Sequence, residues 1–394
     1  MSTKPNSQPS VTWKQVHAFR LARHRLLERG SLKDIASIAY DMTGAQAQLP
    51  SAGLLSLGVR MENAEPNDIE KALEKKTLVK ASCMRRTLFF VPAKHLALFI
   101  RGVARRSEKE INWAMRQGVP AKTLDKVIDA VLRVMDEPLT RPQIAERTCR
   151  ILGLKSLDVH GGGWGSKRKV AAVPVGHLNY PVVYLLSTAA ARGVFCYGPY
   201  RGNEPTFVRA DAWIPKWKDV PREDAERMLL HKYLGTYGPA TPADFAMWTS
   251  TGLTEARELW ADEAKHLVTV DVEGWKGTIL RKDLDALTGS TLKSPHVRLL
   301  PYFDTFILGH KERVHLMDKG YFAKVYRPQG WVSPVLLVDG RVAGVWNYKQ
   351  EKNRLAINVD NFAPLPRPVL NQLQEEAQRV GSFLGNKNVE LQFR

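Results

Sequence analysis

The sequence predicts an α+β fold, with about three tandem winged-helix units followed by a C-terminal β-barrel-like domain. Two observations support this. First, a run of short helices followed by two β-rich segments occurs three times along the chain. Several helices ahead of a small hairpin are typical of a winged helix, and its recurrence indicates an internal structural repeat. Second, the chain after about residue 295 is dominated by strand-like runs instead.

These patterns give a domain division along the chain. The predicted parts are a disordered tail at 1–10, a first winged helix at 11–93, a second at 94–220, a third at 221–290 and the C-terminal domain at 291–394. The first ten residues, MSTKPNSQPS, are polar and have no apolar stretch. We therefore expect a tail there rather than a signal peptide.

In the first unit, capping and helix-breaking residues mark where the helices begin and end. Thr12 and Ser31 are suited to N-caps, and Gly44 is suited to the position after the second helix. Pro50 favours the first turn of a third helix. A fourth helix is expected at about 66–76, and the segments TLVKASC and RTLFFVPA are expected to form the hairpin.

The next two units follow the same logic. In the second, Thr140 caps a short helix, LNYPVVYLLSTAAARG is expected to be helical, and VFCYG and PTFVRA supply two strands. In the third, REDAERMLLHKYLGTYG, a helix capped by Thr241 and LTEARELWADE precede the strands LVTVDV and GTILRK. In the C-terminal domain, Asp339–Gly340 predicts a hairpin turn. One helix is expected to open at Pro368 and pack on the strands.

The charge of the chain indicates a polyanionic partner. The formal net charge is +18, and residues 1–118 hold 20 Lys and Arg against 10 Asp and Glu. Fixed positive charge attracts phosphates and releases their counterions, so nucleic acid is the favoured partner.

Membrane and metal functions find little support in the sequence. No apolar run approaches the roughly 18–20 residues of a membrane span. Cys83, Cys149 and Cys196 are far apart, and His160 has no partner at metal-ligand spacing, so we expect buried reduced thiols and no metal site. A cytoplasmic, nucleoid-associated monomer without a cofactor is expected.

The stretch GAQAQLPSAG places two glutamines between helices. Gly44 and Pro50 leave Ala45–Leu49 non-helical, and the residue before a proline is extended. Residues two apart in an extended segment face the same side, so Gln46 and Gln48 are expected to form a paired amide surface. Such a pair suits the binding of a water and of a sugar or base edge. By spacing alone, two solvated glutamines in a linker remain an alternative.

The stretch GAQAQLPSAGLLSLGVR resembles the Gln-x-Gln signature of the AlkZ/YcaQ-like winged-helix DNA glycosylases. LVKASCMRRTLFFVPAKHLALF resembles the Met-Arg-Gly-Thr-Leu-His segment of that family, and YGPATPADFAMW and LLPYFDTFILGHKER resemble two later segments. The similarity runs from about residue 13 to the end. The chain departs from the family at Arg86, where the family usually has glycine, and at Phe89, where it usually has histidine.

The resemblance implies a metal-free, monofunctional glycosylase that binds damaged double-stranded DNA and hydrolyses the N-glycosidic bond of N7-alkylated purines. Some relatives release interstrand crosslinks, and some have aspartate where this chain has Gln48. By the same resemblance, Gln46 and Gln48 are the catalytic pair. An N7-alkylated guanine is already cationic and leaves without a general acid, so two neutral amides that orient water and stabilise developing positive charge suffice.

Basic segments are candidates for DNA contacts. Arg85 and Arg86 lie at the first hairpin and are expected to bind phosphate, with simple solvation at the surface as the alternative. A crosslinked base cannot swing into a deep pocket, so we expect an open site that approaches the duplex from a groove. The segment 155–177 suits this, with Trp164 as an apolar wedge and Lys167, Arg168 and Lys169 as phosphate contacts. A flexible basic loop without a defined role is the alternative there.

Two further alternatives concern individual residues and the whole chain. Asp304 and Arg313 are expected to form a buried structural ion pair, with a DNA or active-site contact as the alternative. A non-catalytic winged-helix regulator or a lesion-binding protein is the alternative to the enzyme. Three non-identical units in one chain disfavour a regulator, because regulators of this class usually act as two-fold dimers on palindromic sites.

Overall fold

A computed structural model describes residues 8–160, 169–190, 192–293, 295–350 and 354–393. Their strands are, in chain order, β1 (Ser10–Val11), β2 (Ala45–Gln46), β3 (Leu78–Ser82), β4 (Leu88–Pro92), β5 (Leu139–Thr140), β6 (Leu157–His160), β7 (Lys169–Val175), β8 (Leu178–Pro181), β9 (Phe195–Tyr197), β10 (Thr206–Arg209), β11 (Leu267–Val272), β12 (Trp275–Leu280), β13 (Val297–Leu300), β14 (Val335–Val338), β15 (Arg341–Gln350), β16 (Leu355–Asn361) and β17 (Val389–Phe393).

The α-helices of the same residues are α1 (Trp13–Arg23), α2 (Ile35–Asp41), α3 (Pro50–Gly58), α4 (Pro66–Glu74), α5 (Leu96–Arg101), α6 (Arg105–Arg116), α7 (Ala121–Val134), α8 (Arg141–Leu152), α9 (Val182–Ala189), α10 (Ala210–Trp213), α11 (Arg222–Tyr237), α12 (Pro242–Thr249), α13 (Leu253–Asp262), α14 (Leu284–Thr288), α15 (Phe322–Val325) and α16 (Arg367–Phe383). None of these helices combines the length and apolar character that a membrane span requires.

The chain divides into two compact units. One contains residues 1–78, 84–92 and 229–394, and the other contains residues 79–83 and 93–228. This division is coarser than the one drawn from the sequence, and the boundaries of the winged-helix units and their number stay a prediction.

The predicted caps of the helices are confirmed. Thr12, Thr140 and Thr241 each form a capping box at the start of α1, α8 and α12. Ser31 caps a single 3₁₀ turn, Leu32–Asp34, which leads directly into α2. Pro50 lies in the first turn of α3 as expected. Short polar side chains at these positions accept the free N–H groups of a first helical turn, and this is why they locate helix starts in sequence.

Three segments differ from the sequence-based expectation. Ser10, assigned to the tail, lies in β1, which pairs in parallel with β11. The predicted helix from Leu178 begins only at Val182, because Tyr180 precedes a proline and is held extended in β8. The segment 155–177, interpreted as a loop, includes the antiparallel strands β6 and β7.

The C-terminal sheet is open where the sequence predicted a barrel. Its order is β13-β14-β15-β16-β17, antiparallel except for the last pair, and its two outer strands each have one neighbour within it in the described residues. The hairpin between β14 and β15 turns at Asp339–Gly340 as predicted, and both residues have positive φ. Helix α16 packs against β13 and β17.

The core of the first compact unit joins α2, α3 and the C-terminal sheet. It includes Ile38, Leu57 and Leu299, all fully buried. Helix α3 lies so close to α16 that a Cβ at Gly58 would lie 2.3 Å from the Phe383 ring. The segment that holds the two glutamines therefore sits on a packed scaffold rather than in a free loop.

Candidate active site

The turn before the glutamines is tightly fixed. Thr43 and Gly44 both have positive φ, and the Gly44 N–H donates to the Ala39 carbonyl at 2.7 Å, closing the end of α2. A Cβ on Gly44 would lie 2.9 Å from a Val91 methyl group. Glycine is required here both by the backbone conformation and by the close approach of β4.

Tertiary contacts hold the same turn. The Thr43 hydroxyl lies 3.1 Å from the Tyr237 hydroxyl, which donates to the Thr305 carbonyl at 3.0 Å. Burial raises the pKa of Tyr237 to about 12. The phenol is therefore neutral and available as a donor throughout the physiological range, and it ties α11 to the entry of the glutamine segment.

Gln46 lies in a strand, which the sequence did not predict. Ala45 and Gln46 form β2, paired antiparallel with β4 so that Gln46 lies opposite Phe89. The next N–H, of Ala47, donates to the Leu88 carbonyl at 2.6 Å. Directly opposite residues of an antiparallel pair project to the same face. The neighbour of Gln46 on that face is therefore an aromatic ring that offers no hydrogen-bond donor.

The Gln46 amide is buried with an unsatisfied acceptor. The residue is 3% exposed, and its Oε1 is enclosed without a donor among the described residues. A buried polar atom without a partner costs about 1–3 kcal/mol, and such atoms are rare in folded proteins. A carbonyl oxygen kept in this state is available to accept from a water or to face a developing positive charge.

Gln48 differs from Gln46 in its environment. It is exposed, and its Oε1 accepts a long hydrogen bond of 3.4 Å from the Leu88 N–H. The two amides do not share the uniform surface expected from strand periodicity, because the strand ends at Gln46 and the chain bends at Gln48. Both are nevertheless anchored to the same neighbouring segment, Leu88–Phe89.

The start of α3 presses against this segment. A Cβ on Gly53 would lie 3.0 Å from the Ala47 Cβ and 3.1 Å from the Gln46 carbonyl oxygen. A glycine at this point lets the helix approach the segment that carries both glutamines. The positions of the two amides are thus set from three sides, by the turn at Gly44, by β4 and by α3.

Arg85 and Arg86 lie in a short irregular turn just before β4. Both have positive φ, 55° and 56°, a conformation that costs of order 1 kcal/mol or more at a non-glycine residue. Glycine, which the family usually has where this chain has Arg86, adopts this conformation without that cost. Arg86 is exposed, whereas Arg85 is partly buried and donates from Nη1 to the Met247 sulfur at 3.2 Å.

Arg313 lies near Arg85. Its guanidinium stacks over the Tyr326 ring at 3.7 Å from the ring centre, and the Tyr326 hydroxyl donates to the Ile307 carbonyl at 2.7 Å. Burial, and then the charge of Arg313, lower the pKa of the Arg85 guanidinium. The charges of the two guanidinium groups therefore act on each other, and Arg85 lies three residues before Leu88, which contacts both Ala47 and Gln48.

Asp304 is part of a buried ion pair, but its partner is not Arg313. Both oxygens of Asp304 accept from Arg60, at 2.8 Å each, and both side chains are fully buried. The Ser56 hydroxyl and the Phe306 N–H donate to the same carboxylate. Arg60 also donates to the backbone of His24 and Ser56. The prediction of a structural pair is right for Asp304 and wrong for Arg313.

The basic segment 155–177 is described only in part. Trp164, Lys167 and Arg168 lie outside the described residues. Lys169, the fourth candidate, is exposed at the first position of β7, opposite His160. The proposed DNA contacts of this segment stay predictions.

Cysteines and possible metal ligands do not add to the site. All three cysteines are buried and none of them forms a disulfide in the described residues, and burial raises the pKa of the Cys83 thiol to about 12. The described residues include no group of three or more His, Cys, Asp or Glu that could hold a metal ion. Neither glutamine is hydrogen-bonded to a carboxylate in those residues. The groups at hand are therefore neutral amides, with guanidinium groups nearby.

Sequence reasoning missed two features of this region. It did not identify Arg60, although a single arginine in the apolar run LLSLGVRM is a recognisable sign of a buried ion pair. It also did not place Phe89 opposite Gln46, because strand register depends on a pairing between residues more than 40 positions apart.

Comparisons with known proteins identify the family of this chain. The DNA glycosylase AlkZ-like family matches residues 39–383. The chain is 29% identical over 385 residues to an interstrand DNA cross-link repair glycosylase of Streptomyces sahachiroi, covering 95% of this chain and 97% of the relative. The solved structure of Streptomyces sahachiroi DNA glycosylase AlkZ matches with a TM-score of 0.79 at 26% identity, covering 98% of this chain and 100% of that one. The chain therefore belongs to the AlkZ-like family and is a DNA glycosylase.

Proposed function

We propose that this enzyme hydrolyses the N-glycosidic bond of N7-alkylated purines in double-stranded DNA, with Gln46 and Gln48 as its catalytic pair. The observation that supports this most strongly is the enclosed Gln46 Oε1, an acceptor with no donor in the described residues. Its retention at a cost in stability is typical of functional sites.

The chemistry of the substrate explains why amides suffice. Glycosidases that act on neutral sugars need one carboxyl group to protonate the leaving group and another to activate water or to attack. An N7-alkylated purine already carries a positive charge, so its bond to the sugar breaks without protonation. What remains is to place a water and to stabilise an oxocarbenium-like sugar, and carbonyl dipoles held in a fixed position do both.

The two glutamines differ in environment and so are expected to differ in role. Gln46, buried and rigidly placed, orients the attacking water and presents its oxygen to the developing charge. Gln48, exposed and weakly bonded to Leu88, is free to exchange that bond for a contact with the lesion nucleotide or with the same water. Such a site discriminates against undamaged bases, because amides cannot protonate a neutral leaving group.

The relative's name adds a second substrate class. It describes repair of interstrand DNA crosslinks. We extend this to the present chain as part of the proposal, since an exposed Gln48 suits a base that remains tied to both strands. Family membership and this relative favour catalysis over a non-catalytic regulator or lesion binder. Monomeric action at the nucleoid stays a prediction.

The test uses duplex DNA with one N7-methylguanine, and a second duplex with a nitrogen-mustard crosslink. Abasic sites are scored by alkaline cleavage under single-turnover conditions. We expect base release by the wild type and a loss of at least tenfold in Gln46→Ala and in Gln48→Ala, which corresponds to about 1.4 kcal/mol of barrier.

The matched control is Gln374→Ala, the same chemical change on the exposed face of α16. It is expected to keep wild-type rates. Tight binding by the wild type with no base release from either duplex would rule out these substrates. Full activity in Gln46→Ala would remove the glutamine pair from the mechanism.

A further inference from the structure

Arg85 and Arg313 form an uncompensated pair of positive charges. Arg85 has a thioether contact with Met247, and Arg313 stacks on the Tyr326 ring. Neither guanidinium contacts a carboxylate in the described residues. The Nε atoms of both are enclosed without a hydrogen-bond partner there.

Three other buried arginines in the same compact unit have a carboxylate partner, and a fourth, Arg20, donates to the backbone carbonyls of Gly238 and Pro239 instead. Arg60 is fully paired with Asp304, and Arg29 and Arg298 both contact Glu376. Burying a guanidinium removes water from it, and a nearby carboxylate normally offsets that cost. At Arg85 a second positive charge adds to the cost of desolvation. The positive φ of the residue adds backbone strain.

Tyr326 supports Arg313 in this arrangement. The Tyr326 hydroxyl is fixed on the Ile307 carbonyl, so the ring that supports Arg313 cannot turn away. Burial raises the pKa of Tyr326 to about 12, so the phenol does not supply a negative charge to either arginine. An anion from outside is the missing partner.

The chemistry of the reaction restricts which anion this is. The substrate base and the oxocarbenium-like sugar are both cationic in the proposed reaction, so two arginines beside them would be repelled. A phosphate placed between the arginines and the sugar removes that conflict. Arg85 is three residues from Leu88, so these two residues lie within roughly 10 Å of each other. The Leu88 N–H in turn contacts Gln48. A phosphate at this distance belongs to the lesion nucleotide or to its neighbour.

We propose that Arg85 and Arg313 together clamp one backbone phosphate next to the damaged nucleotide. This deepens the proposed function, on which it rests for the placement of the lesion beside the glutamines. Two planar guanidinium groups are suited to the fork-shaped recognition of one phosphate. The clamp positions the lesion and neutralises the local charge, and it takes no part in bond cleavage.

The test measures binding rather than base release. Full-length wild type, Arg85→Gln, Arg313→Gln and the double variant are titrated onto a duplex with a tetrahydrofuran abasic analogue, over a series of salt concentrations. The control is Arg379→Gln, an exposed arginine that pairs with Glu62. Each neutralised phosphate contributes about 0.9 to the slope of log K against log salt in duplex DNA.

We expect the double variant to lose about 0.9 of slope, which corresponds to one phosphate, and each single variant to lose less because the other arginine remains. Arg379→Gln is expected to keep the wild-type slope. A loss near 1.8 in the double variant would mean two separate phosphates and would overturn the clamp. An unchanged slope in the double variant would overturn it as well.

A scan with neutral methylphosphonate linkages then locates the phosphate. We expect one linkage beside the analogue to weaken wild-type binding at least fivefold and to leave the double variant unaffected. If every linkage affects both proteins equally, the proposal fails. Melting temperatures serve as the folding control, and Arg85→Gln is expected to be no less stable than wild type because one of two repelling charges is removed.

These outcomes separate the clamp from the proposed substrate. If the wild type releases no N7-methylguanine while one methylphosphonate position still depends on both arginines, the substrate proposal fails and the clamp stands. If base release depends on the glutamines but no linkage depends on the arginines, the clamp alone is wrong.

Discussion

Replacement of Asp304 by asparagine tests whether this acid stabilises the fold or takes part in the reaction. The carboxylate is fully buried, and it accepts from both terminal nitrogens of Arg60, from the Ser56 hydroxyl and from the Phe306 N–H at 2.7–3.0 Å. Asn keeps the shape of the side chain, removes the charge and turns one acceptor into a donor that faces the guanidinium.

The size of the effect follows from the burial of Arg60. Breaking a buried ion pair by removing one partner costs about 3–5 kcal/mol, because an uncompensated charge stays in the interior. For a domain of this size, each kcal/mol shifts the melting temperature by about 2–4 °C. We therefore expect Asp304→Asn to melt about 6–20 °C below wild type.

Thermal unfolding followed by circular dichroism measures this shift, and single-turnover base release is measured at a temperature where both proteins are folded. The control is Asp318→Asn, whose exposed carboxylate pairs with Arg341 and is expected to contribute less than about 1 kcal/mol. We expect Asp304→Asn to retain base release within threefold. A variant with the wild-type melting temperature and no base release would refute the structural role and make Asp304 a catalytic residue.

Three further predictions concern the site and its scaffold. Gly53→Ala places a Cβ 3.1 Å from the Gln46 carbonyl oxygen. We therefore expect a loss of about 1–3 kcal/mol in unfolding free energy and slower base release. An unchanged unfolding free energy together with an unchanged rate would contradict the close packing. Gln48→Asp keeps a water acceptor and adds a negative charge, so single-turnover release from N7-methylguanine DNA is expected to stay within tenfold of wild type, and complete loss would contradict a role as an acceptor. Burial, and then the charge of Arg20, lower the pKa values of His17 and His310 to about 3. The unfolded chain binds these protons below a pH of about 6.5 and the folded chain only near 3, so as the pH is lowered between these values the free energy of unfolding is expected to fall by about 1.4 kcal/mol per pH unit per histidine. Denaturant unfolding at several pH values measures this dependence. A dependence in His17→Phe equal to that of wild type would contradict it.

The local elements around the glutamines follow from the residues that form them. Pro50 begins a helix where expected, because its missing N–H acts on its own residue and does not depend on distant parts of the chain. Helix α2 ends one residue earlier than predicted, since Thr43 is already left-handed before Gly44. The family signature is likewise a local string, so the resemblance to DNA glycosylases does not depend on the fold.

Tertiary structure alone decided which groups meet. Asp304 pairs with Arg60, 244 positions away, and the charge of Arg313 acts instead on Arg85, 228 positions away. Phe89 faces Gln46 because of a strand register, and the same pairing leaves the Gln46 oxygen without a donor. Side-chain partners are set by the packing of remote segments and by desolvation, and the spacing of residues close in sequence predicts neither.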